Sequence, residues 1–460
     1  MNILNWPNWT VIRVEETDSD YRISAQPTTP PNVCIFCGTI GQLRPYGARA
    51  QRFMDLPVHA KRTGILVERR RLNCQSCGRI FIEPLPEMDE KRRMTKRLLQ
   101  FIQSESLRRT FTDVADRCGL DEKTVRLIFK EYTAELAKTY EFVTPAVLGI
   151  DELHLIGKPR CVLTNVEYRT IIDLLEKRDQ QTVQAYLSKL KDGHKIEVVT
   201  MDMWRPYRLA VEATLPNAVV VVDKFHIVRM ANVALEQVRK DLRESLSDKK
   251  RRTLKKDRFI LLHRRKDLDE QDLFLLSTWT ENYPQLGQAY ELKESFFDIW
   301  DAADKQTAWA KYEDWKASIP TDLAGQFKDI TTAVENWKGP IFNYFDTRVT
   351  NAYTEALNGV MKVVNRNGRG YSFEAIRAKM LYAEAHMYRK RPYGKAWQKP
   401  AEPTIDQTWL VAQSTPITPE QYQAFVDFLD QHDNLGVPLA TYNLETGEIT
   451  VDDESTTESE

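Results

Sequence analysis

The sequence predicts a multidomain α+β chain, and three observations lead to this fold class. Its 460 residues exceed the size of one ordinary domain, and the 42% hydrophobic share is ample for several packed cores. Two C-x-x-C pairs near the N-terminus indicate a small metal-binding module. From about residue 144 onward, short apolar runs alternate with amphipathic helical patterns, which is typical of a sheet covered by helices.

Charge is balanced overall but segregated along the chain. Lys and Arg number 65 and Asp and Glu 66, and this balance by itself argues against a polyanion-binding protein. Basic clusters nevertheless occur at 69–71, 91–93, 249–252 and 389–391, and the chain ends in an acidic segment from Asp452. We therefore expect local basic patches, rather than net charge, to bind any nucleic acid.

Targeting signals are not evident. Residues 1–10 show no basic region followed by an apolar core, and no later apolar run approaches the length of a membrane span. We expect a cytoplasmic protein without a membrane partner. Four of the six cysteines form C-x-x-C pairs, which favours metal binding in a reducing compartment over a disulfide framework.

Two matching knuckles, Cys34-Ile35-Phe36-Cys37-Gly38 and Cys74-Gln75-Ser76-Cys77-Gly78, predict a zinc-binding domain over 31–85, after a polar lead-in over 1–30. Each knuckle brings two thiolates to one ion, and its glycine permits a tight turn. Four thiolates leave no open coordination position, so we expect one structural Zn²⁺. The alternative is four unrelated buried cysteines. The expected ligands are Cys34, Cys37, Cys74 and Cys77.

A hairpin is expected to fill the chain between the knuckles, with residues 65–72 as one of its strands. The basic run of this strand could contact DNA phosphates, and a solvated basic edge is the alternative. The residues concerned are Arg69, Arg70 and Arg71.

Residues 86–143 predict a helix-turn-helix DNA-binding domain. Thr112 is expected to cap a short helix, Gly119 to supply the turn and Asp121 to cap a second helix. One face of the second helix is apolar, and the opposite face presents Lys123, Arg126 and Lys130. This arrangement suits a helix that lies in a major groove, although helix pairs with a glycine turn also occur in proteins that bind no DNA.

Residues 144–230 predict the first part of a second sheet. A strand over 146–150 is followed by a hairpin over 160–175, an amphipathic helix capped by Asp179 and ended by Gly193, and two further strands, each ending in an aspartate. Three antiparallel strands, a helix and then strand-helix alternation is the order of a ribonuclease-H-like domain.

Three acids stand at the ends or on the polar faces of predicted elements. Asp151 follows the first strand, Asp202 follows the strand over 196–201, and Glu355 lies on a helix that begins near Asn351. Brought together, they could hold two Mg²⁺ ions, as in many enzymes that cleave phosphodiesters. Asp223 also closes an apolar strand and competes with Asp202.

The predicted Glu355 helix shows a polar stripe opposite an apolar face. The stripe consists of Asn351, Glu355, Asn358 and Lys362, and the basic loop 365–371 follows. We expect Asn358, Lys362 and Arg366 to contact DNA.

Four ordered blocks resemble those of the DDE transposases of the ISL3 insertion-sequence family. They are Gly149-Ile150-Asp151-Glu152, Thr200-Met201-Asp202-Met203-Trp204-Arg205-Pro206-Tyr207, Asp223-Lys224-Phe225-His226 and Asn351-Ala352-Tyr353-Thr354-Glu355-Ala356-Leu357-Asn358. That family also carries an N-terminal zinc-binding domain and a helix-turn-helix in this order. The resemblance covers residues from about 34 to 393.

The resemblance implies that Asp151, Asp202 and Glu355 form the catalytic, metal-binding triad for two Mg²⁺ or Mn²⁺ ions. Topology favours Asp202 over Asp223, because the second acid of such a sheet lies on the strand beside the first. His226 and Trp204 are accessory candidates that could orient DNA, although a buried packing role is commoner for both residue types.

The resemblance further implies an all-helical insertion over 231–340 between the two parts of a catalytic domain, 144–230 and 341–400. The expected function is that of a transposase that binds terminal inverted repeats and target DNA, acts as a homodimer or larger oligomer, and works in the cytoplasm at the nucleoid. A zinc and helix-turn-helix regulator with an inactive sheet is the alternative, and a nuclease without strand joining is a third reading. Over 401–460 we expect a helix from Thr418 and a disordered acidic tail.

Overall fold

The computed structural model describes residues 3–243, 246–387, 440–442 and 449–451. The chain divides into two compact units, 1–389 and 390–460. Among the helices of these described ranges, none has the length and apolarity that crossing a membrane requires.

A mixed sheet of seven strands occupies the described residues before the first helix. Its order is β1-β2-β4-β3-β7-β6, with β5 paired to β4. The strands are β1 (Trp9–Glu16), β2 (Asp20–Pro27), β3 (Leu43–Val58), β4 (Lys61–Cys74), β5 (Ile80–Ile82), β6 (Met88–Asp89) and β7 (Met94–Thr95). The hairpin expected between the knuckles is present as β3 and β4.

The lead-in is more ordered than the sequence suggested. β1 and β2 form a hairpin, and β2 pairs in parallel with β4. Alternate side chains of β2, Tyr21, Ile23 and Ala25, are buried with Phe53 and Ile65. β1 and β2 therefore belong to the N-terminal sheet, and β2 contributes to its core.

Three helices follow: α1 (Lys96–Arg108), α2 (Phe111–Cys118) and α3 (Glu122–Thr139). Gly119 ends α2 with a φ of 64°, which a residue with a side chain rarely adopts, and Asp121 caps α3 as expected. The cap of α2 is Thr110 and not Thr112, because the Thr110 hydroxyl accepts the N–H of Asp113. The expected Gly turn between two helices is confirmed.

The second sheet has the order β10-β9-β8-β11-β12. Its strands are β8 (Val147–Leu155), β9 (Lys158–Asn165), β10 (Thr170–Leu175), β11 (Val198–Met201) and β12 (Val219–Val222), with α4 (Gln180–Leu187) and α5 (Arg205–Thr214) between them. β8, β9 and β10 are antiparallel neighbours, whereas β11 runs parallel to β8 and β12. Asp179 caps α4, but Gly193 begins a separate 3₁₀ turn after the helix has already ended.

Helices make up most of the described residues between Lys224 and Thr347. Its helices are α6 (Lys224–Leu242), α7 (Asp248–Lys256), α8 (Arg258–Leu262), α9 (Glu270–Asn282), α10 (Pro284–Ile299), α11 (Lys305–Ala317), α12 (Ala324–Phe342) and α13 (Tyr344–Thr347). Tryptophans pack among these helices: Trp279, Trp300 and Trp315 are buried in one cluster, and Trp309 and Trp337 pack against it.

α14 (Ala352–Asn367) and α15 (Phe373–Met387) complete the first unit. α14 packs against β8 and β9, and α15 against β10, α1 and α3. In the second unit, β13 (Ala440–Tyr442) and β14 (Ile449–Val451) pair in an antiparallel manner. The helix expected from Thr418 and the acidic end both lie outside the described residues.

Candidate active site

The register of the second sheet places three aspartates in one row. Met201 on β11 is level with Ile150 on β8 and with Val222 on β12. Asp151, Asp202 and Asp223 each come one residue later along these parallel strands. Residues level with one another in parallel strands share a face of the sheet, so the three carboxyl groups converge at its edge.

Asp151 does not lie at the end of its strand as expected. β8 continues to Leu155 and pairs with β9, and Asp151 is level with Val162. The side chain is therefore only 4% exposed. Asp202 does follow the last residue of β11, and Asp223 caps α6 by accepting the N–H of Phe225 at 3.2 Å.

Helix α14 brings Glu355 to this row of aspartates, and His226 on α6 lies between the acids. His226 Nε2 is 2.7 Å from Asp202 Oδ1 and 3.8 Å from Glu355 Oε1. Two groups of residues have possible metal-ligating atoms, one from each residue, that all lie within 4.8 Å of one another. The first group is Asp151, Asp202 and His226, and the second is Asp223, His226 and Glu355. The structure thus gathers the expected acids around a histidine.

The electrostatics of the site indicate a surplus of negative charge. Burial, reinforced by the charge of Asp202, raises the pKa of Asp151 to about 8. Burial also raises the pKa of Asp223 to about 6, and the short contact with the Asp202 carboxylate raises the pKa of His226 to about 9. A cation close to Asp151 would favour its ionised form and lower this pKa.

The donor atoms at the site fit a hard divalent cation. Asp223 Oδ2 and Asn358 Oδ1 are buried and have no hydrogen-bond partner among the described residues. Buried oxygen atoms without partners are costly, and cations such as Mg²⁺ and Mn²⁺ are bound mainly by oxygen. Mg²⁺ also keeps several of its waters, which suits a site that opens at the edge of a sheet.

Asn358 is not an exposed DNA contact. It is 6% exposed, and its Nδ2 donates a hydrogen bond of 2.6 Å to Asp151 Oδ2. Val360, which helical spacing places opposite the polar stripe, is exposed. The helix is rotated relative to the expected stripe: Glu355, Lys362 and Arg366 face solvent, while Asn351 and Asn358 face the sheet.

Trp204 lies beside the acids, 38% exposed, and the guanidinium of Arg178 lies 4.3 Å from its ring centre. Arg178 also forms an ion pair with Glu152, the residue after Asp151. Glu152 is therefore engaged with an arginine rather than free at the surface. Arg178 was not anticipated, since a lone arginine in a polar connection gives no signal in the sequence.

The four knuckle cysteines form a second candidate metal site. Cys34 Sγ lies 3.8 Å from Cys77 Sγ, and Cys37 Sγ lies 3.7 Å from Cys74 Sγ. A tetrahedral site with Zn–S bonds of about 2.3 Å has sulfur–sulfur edges of about 3.8 Å, so the arrangement fits one structural zinc ion. Hydrogen bonding to Thr39 lowers the pKa of Cys37 to about 6, which favours the thiolate.

The basic run on β4 divides into buried and exposed members. Arg69 is 3% exposed and bonds to the carbonyl oxygen of Glu83, to Gln51 and to Glu90, so its expected role as a DNA contact is wrong. Arg70 is half-buried and pairs with Glu83. Arg71 is exposed and lies over the Tyr46 ring at 5.2 Å.

On α3, the three basic residues expected to face DNA are exposed: Lys123, Arg126 and Lys130. Arg126 bonds to Glu122 at 2.5 Å and lies 3.4 Å from the carbonyl oxygen of Gly370, in the loop between α14 and α15. The helix-turn-helix therefore contacts the loop that follows the Glu355 helix.

Three family models match consecutive parts of the chain. A zinc-finger model of the transposases of IS204, IS1001, IS1096 and IS1165 matches residues 30–77, and the helix-turn-helix domain of transposase family ISL3 matches 83–133. A transposase model of the DDE type from the same family matches 148–380. These segments contain the cysteine cluster, α1, α2, the greater part of α3 and the row of aspartates.

A curated relative extends the likeness beyond the separate segments. The transposase for insertion sequence element IS1001 from Bordetella parapertussis is 26% identical over 379 residues, which cover 80% of this chain and 92% of that relative. Since the DDE model alone spans half of the chain, the chain belongs to the ISL3 family of transposases.

Proposed function

We propose that this transposase cuts and joins DNA strands at the ends of an insertion sequence, with Asp151, Asp202 and Glu355 as ligands of two Mg²⁺ or Mn²⁺ ions. The observation that carries the proposal is the row of aspartates on three adjacent parallel strands, facing a glutamate on α14. The name of the Bordetella relative supports the same activity.

The protein groups have separate roles in this chemistry. Bound ions would lower the pKa of the attacking water or 3′-hydroxyl and stabilise the leaving oxygen. Asn358 orients Asp151, while Asp223 fixes the start of α6 and hence His226. Because the attacking oxygen belongs to water or to DNA, no covalent enzyme intermediate is required.

We favour Asp202 over Asp223 as the second ligand. Asp202 is on the strand beside Asp151, and its carboxylate is not needed to cap a helix. One oxygen of Asp223 accepts the N–H of Phe225, and the residue is fully buried. Asp223 thus has a structural task that Asp202 lacks.

The second sheet supports a ribonuclease-H-like catalytic domain made of two parts, 144–230 and 341–400, with the helices between them as an insertion. Its three antiparallel strands and two parallel strands, in the order β10-β9-β8-β11-β12, are those expected of such a domain. We assign 31–85 to the zinc-binding domain, 86–143 to the helix-turn-helix and 1–30 to a lead-in that the structure joins to the zinc-binding sheet.

DNA contacts are proposed at exposed basic groups. They are Lys123, Arg126 and Lys130 on α3, Arg71 on β4, and Lys362 and Arg366 on α14. The three residues on α3 would read the terminal inverted repeats, because α3 is the helix that follows the turn of the helix-turn-helix. Two element ends must meet, so we infer at least a homodimer.

The test is strand cleavage and joining on a duplex that carries the element's own end, in Mg²⁺, for the parent, Asp202→Ala and Asp223→Ala. We expect Asp202→Ala to abolish both steps while end binding survives. If Asp223→Ala alone does so, the second ligand is Asp223. If the parent binds the end but never cuts, the protein is a regulator with an inactive sheet.

A further inference from the structure

The face of α14 that meets the second sheet is polar, although it is buried. Asn351, Thr354 and Asn358 are spaced at i, i+3 and i+7 and therefore share one side of the helix. Asn351 and Thr354 are fully buried and Asn358 is nearly so. Buried polar groups are costly unless they are paired, so their contacts with the sheet decide where this helix can lie.

Each of these side chains reaches β8 or β9. Asn351 Nδ2 donates to the carbonyl oxygen of Ile150 at 3.3 Å, and the hydroxyl groups of Thr354 and Thr164 are 2.6 Å apart. Asn358 Nδ2 donates to Asp151 Oδ2 at 2.6 Å. An apolar face could slide along the sheet, whereas these bonds are satisfied in only one register.

Gly149 makes this close approach possible. A Cβ atom at position 149 would lie 2.6 Å from Thr354 Oγ1, 2.8 Å from Asn351 Oδ1 and closer still to Thr164 Oγ1. Real Cβ contacts are not that short, so with any larger residue the side chains of Thr164, Thr354 and Asn351, and with them their hydrogen bonds, would have to shift. The missing side chain is thus what allows Glu355, on the next position of the helix after Thr354, to reach the aspartates.

The carboxylate of Asp151 is held from two sides. Its Oδ1 accepts the N–H of Glu152 at 2.7 Å, and its Oδ2 accepts the amide of Asn358. An ionised carboxylate oxygen has two acceptor sites, so each oxygen keeps one for a cation. Partners behind a metal ligand fix its direction, and their loss typically weakens metal binding tenfold to a hundredfold.

We propose that Asn358 is a positioning residue that fixes the orientation of Asp151 for metal binding, and that the Thr354–Thr164 hydrogen bond sets the register of the Glu355 helix. α14 then supplies both a ligand and the group that aims another ligand. The role of Asp151 as a metal ligand is taken from the proposed function.

The test compares Asn358→Leu with the parent by Mn²⁺ titration followed by electron paramagnetic resonance, and by end cleavage at saturating Mn²⁺. Leucine has nearly the same volume but no amide. We expect Mn²⁺ affinity to fall by about tenfold or more. Asn367→Leu is the matched control, because Asn367 is exposed on the same helix and should leave Mn²⁺ affinity unchanged.

A purely structural role would lower the melting temperature of Asn358→Leu and leave Mn²⁺ affinity unaltered in the folded protein, and this result overturns the proposal. If Asn358→Leu does not fold, Thr354→Val is tested in its place, because valine keeps the shape of the threonine side chain and removes only the hydroxyl group. Its expected effect is slower cleavage with end binding retained, and parent-like cleavage would contradict the assigned register. If Asp151→Ala binds Mn²⁺ as the parent does, the proposed metal site itself is wrong.

Discussion

The ammonium group of Lys379 on α15 donates a hydrogen bond to the carbonyl oxygen of Arg109 at 2.8 Å, and another to that of Ser106. Both carbonyl groups lie at the C-terminal end of α1, where backbone oxygens lack partners within the helix. Lys379 of α15 therefore supplies hydrogen-bond donors to the C-terminal end of α1, a helix of the helix-turn-helix domain. The ring of Phe111 packs 4.7 Å from the same ammonium.

Lys379→Met should destabilise the protein, because it removes the lysine donor from the buried carbonyl oxygen of Ser106 and from the partly buried carbonyl oxygen of Arg109. Losses of about 1–3 kcal/mol are usual for such groups. Chemical denaturation monitored by circular dichroism measures the change, and Lys362→Met, at an exposed position on α14, is the control. Equal stability of the two variants would contradict the importance of the contact.

The stability difference between the parent and Lys379→Met should depend on pH. Burial lowers the pKa of Lys379 to about 7, whereas an unfolded lysine has a pKa of about 10.4. Between these values the unfolded chain binds more protons, so this lysine makes the parent more stable as the pH rises from 7 toward 10. Below pH 7 its contribution is constant. Melting curves of both proteins at pH 6, 7, 8 and 9 test the trend.

Arg71→Gln and Arg69→Gln should have opposite consequences although the residues are two positions apart. Arg71 is exposed, so its loss should weaken DNA binding and reduce the slope of log affinity against log salt by about 0.9. Arg69 is buried, and it donates hydrogen bonds to the carbonyl oxygen of Glu83 and to Gln51. Its loss should therefore lower the melting temperature and leave the salt slope unchanged. Identical salt slopes for the two variants would contradict the assignment of Arg71.

Zinc removal should disrupt the end of the N-terminal sheet. Cys37→Ser, which removes one of four thiolates, is expected to reduce bound zinc from one equivalent per chain and to weaken end binding. Elemental analysis and a binding assay measure these effects. Cys118→Ala is the control, since Cys118 is buried in the core around α1 to α3 and should leave the zinc content at one equivalent.

The basic helix α7 is expected to contact phosphate groups. Its exposed charges repel one another at helical spacing, which destabilises a helix in the absence of a polyanion. Replacing Lys249, Arg252, Lys255 and Lys256 by Gln should lower the salt slope of DNA binding by up to about 3.6, at about 0.9 for each lost contact. Lys328→Gln, at an exposed position on α12, should leave the slope unchanged, and an unaltered slope in the α7 variant would mean that its charges are only solvated.

Gly149→Ala should abolish cleavage while end binding survives. The added methyl group would collide with Thr164 and Thr354 and displace α14 with Glu355. A cleavage assay and an end-binding assay on the same preparation separate the two effects. Gly359→Ala on α14, where a Cβ meets open space, should keep parent-like activity.

The positions of Asp202 and Asp223 could be predicted because each directly follows a short apolar strand. The position of Asp151 within β8 could not, because the pairing with β9 that extends the strand to Leu155 is not visible in the apolar run. The rotation of α14 could not be predicted from polarity alone. Asn351 and Asn358 look like surface residues in the sequence, yet they face backbone and carboxyl groups of β8. A buried interface that is itself polar has no hydropathy signal.

The burial of Arg69 is indicated by the alternation of side chains along β4, a pattern that is easily overlooked within a run of basic residues. Ile65, Val67 and Arg69 alternate along β4 and so share one face of the strand, and the first two are fully buried. Arg71 is on the same face but is exposed, and its guanidinium group lies 5.2 Å from the centre of the Tyr46 ring. Period-two alternation, applied to a charged residue, would have indicated that Arg69 is buried, but it places Arg71 on the same face and so does not separate the two arginines.

The helices α6 to α13 lie between Asp223 and Glu355, and this has a consequence for synthesis. A ribosome completes the zinc-binding and helix-turn-helix segments and all three aspartates long before the glutamate emerges. Chains that end before Glu355 also lack α15, which packs on α1 and α3 and donates Lys379 to the end of α1. We therefore expect them to bind element ends poorly as well as to be unable to cut, so that both steps depend on complete synthesis.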